Sequence, residues 1–146
     1  EIYYTACLAD GGIIARLGRD EYFLESGFAS EVVPALDQQL ASTQGHLYRV
    51  QREDATFMLV GPRAIDVLSQ TCACNFEETP DGRVLLTRLA GVSCAILPNP
   101  VAETITYRIW VDPGFAFYLW ETLVKICAEL GGLVIGVESL FGKLDS

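Results

Sequence analysis

A chain of 146 residues with 10 Lys and Arg against 19 Asp and Glu carries a net charge of −9, which repels phosphate backbones and anionic lipid surfaces and excludes nucleic acid as a partner. No run approaches the roughly 18 apolar residues of a membrane span, so the sequence reads as soluble and cytoplasmic. The length suits a single domain, 1–146, that buries about two-thirds of its unfolded surface without a metal or disulfide.

Counted with glycine in place of tyrosine, the apolar share is about 56%, against an ordinary 45–50%. Either a buried interface or a well-filled core accounts for that excess. The start, Glu1-Ile-Tyr-Tyr, has no Met and no basic region followed by an apolar core, so the sequence reads as a processed chain or a piece of a longer one. Cys7, Cys72, Cys74, Cys94 and Cys127 are odd in number and mostly scattered. They read as ordinary, mostly buried thiols, since zinc sites use Cys-x-x-Cys or longer spacings; Cys72 and Cys74 are the residual candidates for a reactive or metal-binding pair.

In chain order, Tyr3 to Leu8, Ile13 to Leu17 and Glu21 to Glu25 read as a β-meander joined by turns at Ala9-Asp10-Gly11-Gly12 and Gly18-Arg19-Asp20. A helix is expected from about Phe28 to Ala41, with Val32, Val33, Leu36 and Leu40 on its apolar face, and a fourth strand from His46 to Val50. Ala55 to Val60 is an apolar strand. Gly61-Pro62-Arg63 opens a helix through Thr71 with proline at its first position and Ile65, Leu68 and Cys72 facing inward. Glu77 to Gly82 is a solvated loop by composition.

From Thr87 to Gly136 the pattern is strand, loop, strand, helix, strand. Thr104 to Val111 alternates β-branched and aromatic residues as a half-buried strand does. Asp112 is a helix cap and Pro113 a first-turn residue; Phe115, Leu119, Leu123, Ile126, Cys127 and Leu130 follow helical spacing up to a stop at Gly131-Gly132. Leu133 to Val137 is the last expected strand, with one or two helical turns over Glu138 to Leu144.

The two halves correspond at an offset of 87 residues: Glu25-Ser-Gly-Phe-Ala matches Asp112-Pro-Gly-Phe-Ala, and Leu36 and Leu40 match Leu123 and Cys127. This suggests an α+β fold of two similar β-hairpin/helix halves, a pseudo-repeat over roughly 13–50 and 92–137. A catalytic search is nearly empty. His46, the single histidine, opens a strand, and the glycine pairs lack phosphate-binding context. Asp10 reads as a turn former.

The series Leu8-Ala-Asp-Gly-Gly-Ile-Ile, Asp20-Glu-Tyr-Phe-Leu, Phe57-Met-Leu-Val-Gly-Pro-Arg-Ala-Ile-Asp-Val-Leu, Tyr107-Arg-Ile-Trp-Val, Leu119-Trp-Glu-Thr-Leu-Val and Gly131-Gly-Leu-Val-Ile-Gly resembles the glycine-cleavage T-protein, or aminomethyltransferase, superfamily. Thr87-Arg-Leu-Ala-Gly-Val and Tyr118-Leu-Trp-Glu-Thr-Leu-Val look most like the γ subunit of heterotetrameric sarcosine oxidases. The resemblance implies a T-protein-like folate-binding-domain architecture. It also implies an acidic residue where this chain has Ala15, a glutamate near the pterin for which only Glu103 can substitute, and an arginine where Val137-Glu138-Ser139-Leu140 stands.

Those departures imply a copy that keeps the scaffold and has no catalytic residues. The expected role is an accessory subunit of a multi-subunit flavoenzyme oxidising an N-methyl or secondary amino acid such as sarcosine. Its larger flavoprotein partners would carry any FAD, FMN, NAD and tetrahydrofolate, and Phe115, Phe117, Tyr118 and Trp120 are the candidate interface residues. The alternative is a standalone folate-binding or folate-dependent transferase-like protein using Arg88, Glu103 and Tyr107. A third reading is a thiol redox or metal protein built on Cys72 and Cys74.

Overall fold

The computed structural model describes residues 1–8, 11–27, 30–42, 45, 47–101 and 103–137. The chain forms two compact units, one of Glu1–Glu53 with Gly82–Val84 and one of Asp54–Asp81 with Leu85–Ser146.

The first unit contains the expected meander: β1 (Thr5–Cys7), β2 (Ile13–Arg16) and β3 (Tyr22–Glu25), antiparallel in the order β1-β2-β3. Gly11, at φ 78°, supplies the left-handed residue of the first turn. Ile13 and Ala15 on β2 are buried, two residues apart and therefore on one face. Residues 82–84 join this unit through main-chain bonds, Thr5 N–H to the Gly82 carbonyl at 2.9 Å and Val84 N–H to the Tyr3 carbonyl at 2.7 Å.

The following helix, α1 (Val32–Ser42), starts later than its sequence pattern suggests. The Ser30 hydroxyl accepts from Val32 N–H at 3.1 Å and starts it. The expected first residue, Phe28, and Ala29 lie outside the described residues. None of α1 is buried, and Val32 and Leu36 of its apolar face stand 37% and 38% exposed.

The strand expected from His46 to Val50 does not form over 47–50: Leu47, Tyr48 and Val50 are exposed with no ladder partner, and His46 lies outside the described residues. Side chains tie this segment down instead. Arg49 pairs with Asp37 of α1 at 2.6 Å, and the Arg52 guanidinium lies 5.2 Å from the centre of the Phe23 ring.

The second unit runs β4 (Ala55–Val60), α2 (Ala64–Thr71), β5 (Leu85–Leu89), β6 (Val92–Pro98), β7 (Thr106–Val111) and α3 (Pro113–Glu129). Its sheet is antiparallel in the order β4-β7-β6-β5. Leu89, Ile96 and Ile109 pack with Leu68 of α2 and Leu119 of α3 in one core, all with no measurable exposure. Each unit thus holds an antiparallel strand pair followed by a helix, β2–β3–α1 and β6–β7–α3, in the α+β arrangement expected.

Further details differ from the sequence reading. The region from Thr87 holds a tight β5–β6 hairpin, whose turn residues Ala90 and Gly91 both take positive φ (50° and 84°); alanine is an unusual occupant there and disguises the turn. All six residues of β7 are buried rather than alternate ones, because it lies between β4 and β6 and even Thr106 and Arg108 are enclosed. Pro62 precedes Arg63, the residue at the helix cap, and so lies outside α2. Finally, Leu133 to Val137 forms no strand, since β-branched residues without a pairing partner leave their backbone to solvent. The helical turns expected over 138–144 lie outside the described residues.

Candidate interaction surface

The α3 helix starts as its sequence dictates. The Asp112 carboxylate accepts from Gly114 N–H at 2.8 Å and Pro113 occupies the first turn. Its end is a Schellman arrangement: Gly131, at φ 79°, donates to the Ala128 carbonyl at 3.0 Å and Gly132 donates to the Cys127 carbonyl at 2.7 Å. Between these caps Leu119 and Leu123 are buried, while Ile126, Cys127 and Leu130 pack partly buried against the core. Burial holds the Cys127 thiol above its ordinary range. Phe115, read from spacing as part of this apolar spine, is instead 53% exposed.

Phe117 and Tyr118 are exposed at 73% and 53%, and Trp120 at 39%. Four large aromatics within six residues therefore face outward at the start of one helix. Two are braced from below. The Trp120 ring lies 5.5 Å from that of Phe57 on β4, and the Tyr118 hydroxyl donates to the Ala90 carbonyl at 3.2 Å. Such bracing reduces the rotamer freedom a partner would have to freeze.

A cleft of about 210 Å³ lies at the other end of α3, lined by Leu59, Val60, Pro62, Val67 and Leu130 among others. Arg63 spans part of its rim, donating to the Leu130 carbonyl at 3.0 Å and to Asp66 at 2.9 Å. The sequence presents Gly61-Pro62-Arg63 only as a helix start, because the Arg63 to Leu130 contact joins positions distant in the chain.

The three residues named for folate are differently placed. Arg88 on β5 is exposed opposite Ser93, while Glu103, exposed at φ 63°, follows β6 at the far end of the sheet. From Ser93 to Pro98 the strand extends roughly 17 Å at 3.4 Å per residue, so Arg88 and Glu103 belong to opposite ends. Tyr107 is buried on the helix-covered face, edge-on to Phe76 at 5.7 Å, and its hydroxyl is pushed up by burial and then by Asp81 and Glu77. Ala15, where the resemblance leads one to look for an acid, is a fully buried methyl on β2 and carries no transferable proton.

All five cysteines are free thiols, and three converge. The Cys72 and Cys74 sulfurs lie 3.4 Å and 3.1 Å from the Thr87 hydroxyl oxygen, and Thr87 is the direct cross-strand partner of Cys94. Burial, the neighbouring Cys72 and then Cys74 push the Cys94 thiol up to about 11 despite a backbone bond at Leu89. Among the described residues, no group of three or more His, Cys, Asp or Glu side chains is arranged to hold a metal ion. No described helix is long and apolar enough to cross a membrane.

Comparison with known proteins gives two positive findings. Residues 3–142 match the model of the GCVT N-terminal domain. A chain of the heterotetrameric sarcosine oxidase from Corynebacterium sp. U-96, solved in complex with pyrrole 2-carboxylate, superposes with a TM-score of 0.71 at 20% identity, over 93% of this chain and 69% of that one. A search of curated protein sequences found no match. With the family model spanning nearly its whole length, the chain belongs to the GCVT N-terminal domain family.

Proposed function

We propose that this chain is a non-catalytic accessory subunit, γ-like, of a multi-subunit flavoenzyme that oxidises an N-methyl or secondary amino acid such as sarcosine. The observation that carries the reading is the outward display of Phe115, Phe117, Tyr118 and Trp120 on a helix whose other face is locked into the core. Exposed aromatics on a rigid support suit a protein interface, where large rings contribute heavily to binding. The fold likeness to a chain of a heterotetrameric enzyme points to the same kind of assembly. Ala15 in place of an acid argues against proton transfer to folate by this chain, so FAD, FMN, NAD and tetrahydrofolate are assigned to the larger partner subunits, in the cytoplasm.

Native mass spectrometry of the untagged protein from its source tests the reading. Co-isolation with larger flavin-bearing chains supports it, and a Phe117→Ala variant that folds should then release them. A lone 16.0 kDa species refutes it, and co-isolation unaffected by both Phe117→Ala and Trp120→Ala would overturn the choice of these aromatics as its anchors. Saturable binding of tetrahydrofolate to that lone species would favour a folate-binding role instead.

A further inference from the structure

The convergence at Thr87 is not used by the accessory role. A threonine hydroxyl has one hydrogen and two lone pairs, so of the two sulfurs in contact with it one can accept that hydrogen while the other donates its own to the oxygen. The resulting chain, S–H to O–H to S, provides a hydroxyl donor for a thiolate on the accepting sulfur. Hydrogen bonding to the charged form is what favours a thiolate, and the thiolate is the nucleophile in disulfide exchange. The Cys74 contact is the shorter, at 3.1 Å. Both cysteines are partly exposed, whereas Cys94 is buried. Cys72 and Cys74 follow the end of α2 in irregular backbone with only the exposed Ala73 between them, a segment free of ladder bonds that oppose its closing.

We infer that Cys72 and Cys74 form a redox site for small disulfides, with Cys74 as the attacking sulfur, Thr87 as its hydroxyl donor and Cys72 as the resolving thiol. The Cys74 thiolate attacks one sulfur of a low-molecular-weight disulfide, forming a mixed disulfide and expelling one thiolate, which takes up the proton Cys74 has lost. Cys72 then attacks the Cys74 sulfur, closing the protein disulfide and releasing the second small thiol with the proton from Cys72. Two protein thiols are oxidised and one small disulfide is reduced to two thiols. Cys94, kept protonated by burial and by its two neighbours, takes no part.

Glutathione disulfide added to the full reduced chain is the test, read by intact mass and by tryptic mapping without reduction. Cleavage at Arg63, Arg83, Arg88 and Arg108 puts Cys72 and Cys74 on one peptide, Ala64 to Arg83, and Cys94 on another, Leu89 to Arg108. The expected product is the first peptide lighter by two hydrogens. Thr87→Val, close in shape to the wild type, should slow its formation roughly tenfold, and Cys94→Ala should leave it unchanged. Persistent glutathione adducts without ring closure, a cross-link to the Cys94 peptide, no reaction, or an unchanged rate in Thr87→Val would each overturn the assignment.

Discussion

α1 and α3 each follow an antiparallel strand pair, and their flanking sequences align at a fixed offset, yet only α3 is built into a core. In α3 the aspartate of the shared string caps the helix and the chain turns helical at the next residue, Pro113. In α1 the corresponding Glu25 ends β3, and helix begins only at Val32 behind a serine cap. Leu119 and Leu123 are buried beneath the second-unit sheet, while Val32, Val33, Leu36 and Leu40 bury nothing completely. The shared string therefore does not fix where a helix starts, and what the helix packs against decides how much stability it contributes.

The sharpest break in this comparison comes from emptying the two apolar faces in turn. Leu119→Ala should lower the unfolding free energy by about 2–5 kcal/mol, whereas Leu36→Ala should change it by less than about 1 kcal/mol, both read from urea midpoints of the full chain. Equal losses would mean that α1 is buried in solution.

Alkaline titration separates the units next. The Cys94 pKa, raised from 9.0 to about 11, lies above its unfolded value, so the folded state holds a proton the unfolded state loses. The corresponding stabilisation is complete below pH 9 and fades as pH rises toward 11, by on the order of 2 kcal/mol in all. The raised Cys127 and Tyr107 act in the same direction. Thermal midpoints that fall above pH 9, and fall less steeply in Cys94→Ala, would establish this; identical slopes would remove it.

Asp112→Ala should cost about 1 kcal/mol globally through the lost cap on Gly114. The matching change in the first unit, Ser30→Ala, should speed hydrogen exchange across 32–42 with the urea midpoint moving by only about 0.3 kcal/mol, because α1 frays without dismantling a core. A large global loss for Ser30→Ala would erase the distinction.

Elements with strong local signals were legible in the sequence: β4 has the bounds its apolar run implies, and Asp112, Pro113 and Gly131 act as caps and stop. Leu68, Leu119 and Leu123 fall on inward faces by spacing and are buried. Readings failed where burial or pairing is decided at a distance. Leu47 to Val50 and Leu133 to Val137 have strand composition without a neighbouring ladder, and Phe115 sits at core spacing on a stretch of helix the sheet does not cover. The thiol cluster was half visible, in the Cys72 and Cys74 spacing; the hydroxyl joining them is thirteen residues or more away in sequence, and only the β5–β6 register sets Cys94 beside it.

The sheet order β4-β7-β6-β5 has a further consequence for a chain made from one end to the other. The meander is complete once Glu25 has been synthesised, and its strands pair with their immediate successors. β4 ends at Val60 yet takes its pairing partner from β7, which ends at Val111. During synthesis at 5–20 residues per second, β4 therefore emerges roughly 3–10 s before the strand that shields its edge. For that interval Ala-Thr-Phe-Met-Leu-Val is an apolar segment whose main-chain groups have no strand partner, open to pairing elsewhere until β7 is made.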